Sequence, residues 1–456
     1  MVSIAPFRGY VYDQKELESV GGLLVSPPYD ILSDGERRAF HESHPHNFLR
    51  VDLGAVLPGD AGPMTWHERS AALLSEWIKD GVLARRPRPA LFFMRTEWNG
   101  PRPGERVDRL GFVCLMKLEE AGKKSRVRPH ERTFSYHKEE RLDLMKKTGA
   151  QLSPIFGFFP DPRGHFLEFL GDRTRGKPDA SFTDPGGQLH EMTFVEDPAD
   201  IAMVEKSLSD LTVYIADGHH RYATALNYRD LMTREAEKAG VAIPGESSLN
   251  YVMIYLCPMS DKGLLVLPTH RILSASPLSN GEILKKLGEF ASVKLIPFGD
   301  GGRDRAMEVL KKKLREDKKK GLTVYGLVLN GADHHCFVKV REKVKETWAR
   351  EHTDNSPLSR LDVSVLTGVI LERALGMTEE NLDDPDFMSY VSGVDEALGM
   401  VDSGKRAAFI LNPVTLEEIV RVTESGRVMP RKATYFHPKV SGGLVVNLVD
   451  PAEIAR

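Results

Sequence analysis

Apolar residues fall into two kinds of repeat along this chain of 456 residues. Short runs, alternating or continuously apolar, predict strands over 23–25, 90–98, 110–118, 153–159, 213–217, 251–259 and 263–267. Apolar positions three and four apart predict helices instead. The clearest covers 65–81, with Trp66, Ala72, Leu73, Trp77 and Ile78 on one face and Gly81 as its stop. Ser33 followed by Glu36 gives the capping-box signal for a helix running to about His44. Further helices are expected over 201–208, in the charged stretch ending near Gly149, and over 358–375. Residues 277–341 read as helix, strand, lysine-rich helix, strand, strand. Short strands and helices then alternate over 388–391, 394–401, 407–411 and 416–420, before a closing strand over 443–448. The two periodicities are mixed from end to end, so the fold class expected is α/β, in the α+β sense.

A mass of 51.0 kDa exceeds what one ordinary core holds, so two domains are expected, 1–275 and 276–456. A content of 41% hydrophobic and 28% charged residues is that of a globular protein without collagen-like or coiled-coil bias. The net charge of −3 offers no overall polyanion-binding surface, which argues against nucleic acid as a partner. Lys311–Lys313 and Lys318–Lys320 are interleaved with Arg315, Glu316 and Asp317 and lack the aromatics that stack on single strands, so they read as a solvated helix face. Cys114, Cys257 and Cys336 form no CxxC pair, and the adjacent His334, His335 and Cys336 would point to opposite faces of a strand, so structural zinc is disfavoured there. With no apolar signal core and no run of membrane-spanning length, a cytoplasmic location is expected.

The candidate chemistry centres on residues 213–229. Val213, Tyr214 and Ile215 suit a buried strand, Gly218 supplies the conformational freedom of a tight turn, and Ala223, Ala225 and Leu226 begin a helical face. The turn thus sits on a helix N-terminus, where unpaired N–H groups and the positive dipole end collect. His219, His220 and Arg221 at that point make an anion site plausible. A plain strand–turn–helix junction is the equal alternative.

Three other stretches carry similar residues. Tyr29 and Asp30 follow Pro27-Pro28 just before a helix, where a carboxylate can serve as a base or bind a metal, or merely cap a turn. His130, Glu131 and Arg132 lie side by side in a loop before the charged helix, a setting for a base beside phosphate-holding cations. His270 and Arg271 end an apolar run and could face the same cleft as His219 and Arg221 if their strands share one sheet; a salt-bridged edge is the alternative. Lys432 and Lys439, in the proline-bounded loop 429–439, could bind a phosphate or carboxylate, or simply cover the surface.

Asp217-Gly218-His219-His220-Arg221 followed by Ala225 resembles the Asp-Gly-x-x-Arg-x-x-x-Ala box of the ParB/sulfiredoxin superfamily, which includes chromosome-partitioning proteins and free serine kinases. The opening APFRG, SPPYD, PHERT, SPIFG, LPTHR and the closing MPRKATYFHPK together resemble the domain-of-unknown-function family 1015. The resemblance implies a ParB/sulfiredoxin-like core with additional α/β elements. It also implies a phosphate or nucleotide site formed by Gly218, His219, His220 and Arg221, joined by His130, Arg132, His270 and Arg271. Asp217 would bind Mg²⁺ or orient a histidine, and Asp217 and His220 would belong to the catalytic set. Glu131 or Asp30 would be the catalytic base, while Tyr29, Lys432 and Lys439 would hold the substrate.

Gene context in that family points to serine or phosphoserine. The activity implied is therefore phosphoryl transfer between L-serine or phosphoserine and ADP/ATP or inorganic phosphate/pyrophosphate. Two alternatives stand beside it, a ParB-like nucleotide-dependent DNA-binding or regulatory protein and a phosphoserine hydrolase.

Overall fold

A computed structural model describes residues 1–55, 63–100, 104–120, 122, 125–131, 135–352 and 356–455. The chain divides into two compact units, Met1–Leu265 with Pro438–Arg456, and Val266–His437. The expected boundary at 275/276 thus falls some ten residues late, and the closing segment belongs with the first unit rather than with a C-terminal domain.

The first unit is built on a nine-stranded mixed sheet. Its strands are β1 (Ile4–Ala5), β2 (Leu91–Asn99), β3 (Arg106–Lys117), β4 (Val127–Pro129), β5 (Ile155–Phe159), β6 (Ala180–Thr183), β7 (Leu189–Val195), β8 (Val213–Asp217) and β9 (Tyr251–Pro258). They lie in the order β4-β8-β5-β9-β3-β2-β7-β6, with β1 on β3. All eight residues of β9 are buried, which explains its continuous apolar run: a strand covered on both faces needs no polar side.

Helices α1 (Gln14–Val20), α2 (Asp34–Ser43), α3 (Pro63–Lys79), α4 (Ser135–Thr148), α5 (His165–Arg173), α6 (Pro198–Leu208) and α7 (His219–Lys238) belong to the same unit. Phe166 and Leu170 of α5, Val204 and Leu208 of α6, and Tyr222 and Ala225 of α7 form one core with Phe93, Cys114, Ile155, Ile215 and Ile254 of the sheet. Each large side chain so buried contributes about 1.5–3 kcal/mol. The Ser33–Glu36 capping box is present at the start of α2.

Two strand predictions in this unit differ from the structure. Residues 23–25 carry no ladder: a 3-10 turn covers Gly21–Leu23, and Ser26 makes an isolated bridge to Gly442. Over 443–448, the ladder is confined to Asn447–Leu448, which pairs with Ala150–Gln151, and Val446 adds an isolated bridge to Tyr10.

The second unit holds a six-stranded sheet in the order Ala291–Pro297, His334–Val340, Val324–Leu329, Ala407–Ile410, His270–Leu273, Met388–Val391. Its lysine-rich helix, Gly302–Lys319, buries Met307, Leu310 and Leu314 and exposes Lys312 and Lys319, but Lys318 pairs with Asp362 and Glu418 and Lys313 lies 4.5 Å from the centroid of the Phe337 ring, so the solvated face expected holds for part of the run. The helix expected over 358–375 is broken into a 3-10 turn at Pro357–Arg360, one α-turn at Asp362–Val365 and a wide π-helical stretch at Leu366–Ala374. Among the described residues no helix is long and apolar enough to cross a membrane.

Candidate functional site

Topology gathers the site. β4 and β8 are parallel neighbours, pairing Val127 with Val213 and Pro129 with Ile215, so the chains leaving both carboxyl ends emerge side by side. His130 and Glu131 leave β4, while Asp217 and Gly218 leave β8. Next to β8 on its other side, β5 runs antiparallel, and the ladder is bulged between Ile215 and Asp217. That bulge re-aims the end of β8. Gly218 has φ of 85°, in the left-handed region, and caps α7 without a side chain. A Cβ there would lie 3.0 Å from Arg221 Nε, so glycine is required twice over.

Asp217 is the hub. Arg221 Nη2 donates to Asp217 Oδ2 at 2.7 Å, and Lys439 Nζ donates to Oδ1 at 2.5 Å. The second guanidinium nitrogen of Arg221 donates to the Pro154 carbonyl at 2.5 Å, just before β5. Burial pushes the Asp217 carboxyl upward, but Lys439 and Arg221 outweigh it and hold its pKa at about 2. Asp30, in the 3-10 turn Tyr29–Ile31, feels the same charges. Desolvation by the surrounding protein and repulsion from Asp217 raise its pKa, opposed by Arg221 and Lys439. The residue itself is exposed.

The histidines divide differently from expectation. His130 is fully buried, with Nδ1 bonded to the Ile215 carbonyl at 2.6 Å, and burial drives its pKa to about 4. His219 is also buried and held well below the usual imidazole range by burial first and His130 second; its Nε2 accepts the main-chain N–H of His130 at 3.2 Å. The two rings meet edge to face, 4.6 Å between centroids. Both are neutral near pH 7 and lend no charge to an anion. They brace the two strand ends. Glu131 stands over them, Oε1 3.8 Å from His130 Nε2 and Oε2 4.0 Å from His219 Nδ1. His220 is half-buried on the first turn of α7.

Behind Arg221 a cavity of about 50 Å³ is lined by Tyr29, Asp52, Arg141 and Ile155 among others. The Arg141 guanidinium lies 3.9 Å from the centroid of the Tyr29 ring and pairs with Asp52 at 3.3 Å. Burial pushes the Tyr29 phenol up to about 12. A larger cavity of about 600 Å³ lies elsewhere in this unit. There Arg8 and Arg85 both pair with Glu453.

The turn therefore collects Asp217, Gly218, His219, His220 and Arg221 with Asp30, Tyr29, His130, Glu131 and Lys439, all of them among the candidates named from the sequence. Lys439, expected to hold substrate, is an ion-pair partner of Asp217. Arg132 lies outside the described residues. His270 and Arg271 do not share a sheet with β8: they belong to the second unit's sheet. There His270 Nδ1 accepts the Leu411 N–H at 3.1 Å, and the Arg271 guanidinium donates to the Thr269 carbonyl and stacks on Tyr390. Lys432 is also in the second unit, exposed, with φ of 54°.

Asp52 and Arg141 were missed because a buried ion pair between sequence-distant elements leaves no local pattern. Arg109 was missed likewise. Its buried guanidinium donates to the Pro438 carbonyl at 2.5 Å and so fixes the residue before Lys439.

The fit to Mg²⁺ is poor. Both oxygens of Asp217 already meet cations, and among the described residues the one group of three metal-ligating side chains lies elsewhere. An anion fits better, since Arg221 and Lys439 stand beside the first turn of α7, whose N–H groups have no helical partner.

No curated protein gives a significant match. Among solved structures, the chain is similar to a conserved hypothetical protein from Pyrococcus furiosus at 14% identity, covering 69% of this chain and 89% of that one with a TM-score of 0.29. It is similar to a free serine kinase in complex with AMP at 14%, covering 68% and 83% with a TM-score of 0.29. It is also similar to SbnI with a C-terminal truncation from Staphylococcus aureus at 11%, covering 75% and 89% with a TM-score of 0.31. The likeness in each case is remote. The model of the family described as "Protein of unknown function (DUF1015)" matches residues 4–364, well over half of the sequence, and the chain belongs to that family.

Proposed function

We propose that this protein is a small-molecule phosphotransferase that moves a phosphoryl group between L-serine or phosphoserine and a nucleotide, ADP/ATP, or inorganic phosphate/pyrophosphate. The observation that carries the reading is the pair of cations, Arg221 and Lys439, held by Asp217 at the N-terminus of α7. The resemblance of the Asp217–Arg221 box to that of the ParB/sulfiredoxin superfamily supports a phosphate or nucleotide site there, and the gene context of the family supports serine or phosphoserine as the substrate.

Phosphoryl transfer needs little covalent help from a protein. It needs cations where charge spreads over the equatorial oxygens and a carboxylate to take the hydroxyl proton. Arg221 and Lys439 supply the first, swinging from Asp217 to the phosphate as it arrives. Asp30 supplies the second. Its raised pKa makes it the stronger base of the carboxylates beside those cations. Glu131 is the other candidate, with Oε2 4.0 Å from His219 Nδ1.

The test is to incubate the protein and Mg²⁺ with phosphoserine plus ADP, plus inorganic phosphate, or alone, and to follow serine. Serine with ATP or pyrophosphate supports a transferase. Serine in buffer alone makes the protein a hydrolase at the same site. Transfer that survives Arg221→Ala would sink the assignment.

The DNA-binding alternative has less behind it. The net charge of −3 offers no overall surface for a polyanion.

A further inference from the structure

Away from the turn, the N-terminal part of the first unit brings three metal-ligating side chains together. Glu16 comes from the first turn of α1, while His44 and His46 come from the loop following α2. One ligand atom from each lies within 4.8 Å of the others, and all three residues are half-buried. We propose that Glu16, His44 and His46 form a binding site for a divalent cation of the zinc class.

The chemistry suits that choice. Two imidazoles and one carboxylate are a borderline donor set, matching Zn²⁺ rather than Mg²⁺ or Ca²⁺, which take mainly oxygen. Zn²⁺ binds nitrogen and oxygen at about 2.0–2.2 Å, so tetrahedral ligands stand roughly 3.3 Å apart. The observed spread needs only side-chain adjustment. Half-burial leaves a fourth position for water.

The frame around the three is built before any ion arrives. Asp13 caps α1 by accepting from the Lys15 N–H, which fixes the first turn carrying Glu16. The Tyr12 hydroxyl donates to the His46 carbonyl at 2.7 Å, and the Asn47 amide donates to the Leu23 and Val25 carbonyls. The His46 ring packs edge-on against the buried Trp77, 5.6 Å between centroids. His44 Nδ1 accepts the His46 N–H at 3.1 Å, which marks that nitrogen as unprotonated. Held backbones are what a preorganised metal ligand set requires. Without a metal, Glu16 Oε1 meets His46 Nδ1 and His44 accepts the His46 N–H.

The full chain, stripped with a chelator, is titrated with Co²⁺ as a spectroscopic substitute and then with Zn²⁺ in competition. The expected result is one equivalent of Co²⁺ with visible ligand-field bands, displaced by Zn²⁺ and released in acid as the imidazoles protonate. Glu16→Gln, His44→Ala and His46→Ala should each weaken binding at least about tenfold. His165→Ala, an exposed histidine on α5, should leave it unchanged. Saturable Co²⁺ binding that all three variants leave intact, or no stoichiometric binding by the wild-type chain, would overturn the proposal. Should His46→Ala fail to fold through lost packing on Trp77, Glu16→Gln and His44→Ala still decide the matter, since neither side chain is in the core.

Discussion

Gly218 and Asp217 show how much rests on single residues. Gly218→Ala places a side chain at φ of 85°, costing about 1–2 kcal/mol, and pushes a methyl against Arg221. The expected outcome is a lower midpoint in urea unfolding together with weaker anion binding. A variant with lowered stability but unchanged binding would separate the turn from the site. Lys439→Ala leaves Asp217 with Arg221 as its one cation in this pair and should lower stability by about 1.5–3 kcal/mol.

The sign of the pH dependence follows from the folded-state shift. Asp217 drops from the ordinary 3.8 to about 2, so its stabilisation is present above the unfolded value and disappears as pH falls towards 2. Asp30 moves the other way, and base catalysis through it requires the ionised form. Activity should therefore fall on acidification at a pH above the usual aspartate range, and Asp30→Asn should remove that limb along with most of kcat. A pH profile unchanged in Asp30→Asn would hand the role to Glu131.

At the scale of elements, the neighbourhood of two parallel strand ends explains the site. That neighbourhood was only partly legible in the sequence. The strand–turn–helix at Val213–Lys238 could be read locally, because buried β-branched residues, a glycine and a helical repeat follow one another within a few positions. Asp30, Tyr29 and Glu131 could be named as polar residues at element ends, although their convergence on Asp217 depends on pairings that no local pattern encodes.

His270 and Arg271 misled for the same reason. An apolar run ending in His-Arg looks alike whether its end opens into a cleft or is buried in another sheet. Buried histidines set a further expectation. His130, His270 and His335 are each depressed to about 4 by burial, so the unfolded chain binds more protons than the folded one between about 6.5 and 4. Stability should fall as pH drops through that window. Equilibrium unfolding across it that shows no such loss would contradict the burial of these rings.

Along the whole chain the second unit is an insertion in the sequence of the first, since residues 438–456 return to the first unit. That return was not legible: a lysine in a closing loop carries no sign that it will pair with an aspartate 222 positions earlier. The second unit is continuous from Val266 to His437 and has its own core around Leu310, Phe337 and Ile410. Expressed alone, it should unfold as one cooperative transition. Deleting 438–456 should instead disable the first unit, by removing Lys439 and the Pro438 carbonyl that Arg109 holds.

The central claim is that the Gly218 turn binds a phosphate-bearing ligand through Arg221 and Lys439. Calorimetric titration of ADP and of inorganic phosphate into the wild-type protein and Arg221→Ala tests it most directly. Saturable binding weakened at least about tenfold in the variant is the predicted result, as expected from losing a charge-assisted hydrogen bond. Binding of equal strength in both proteins, or none to the wild type, would contradict it.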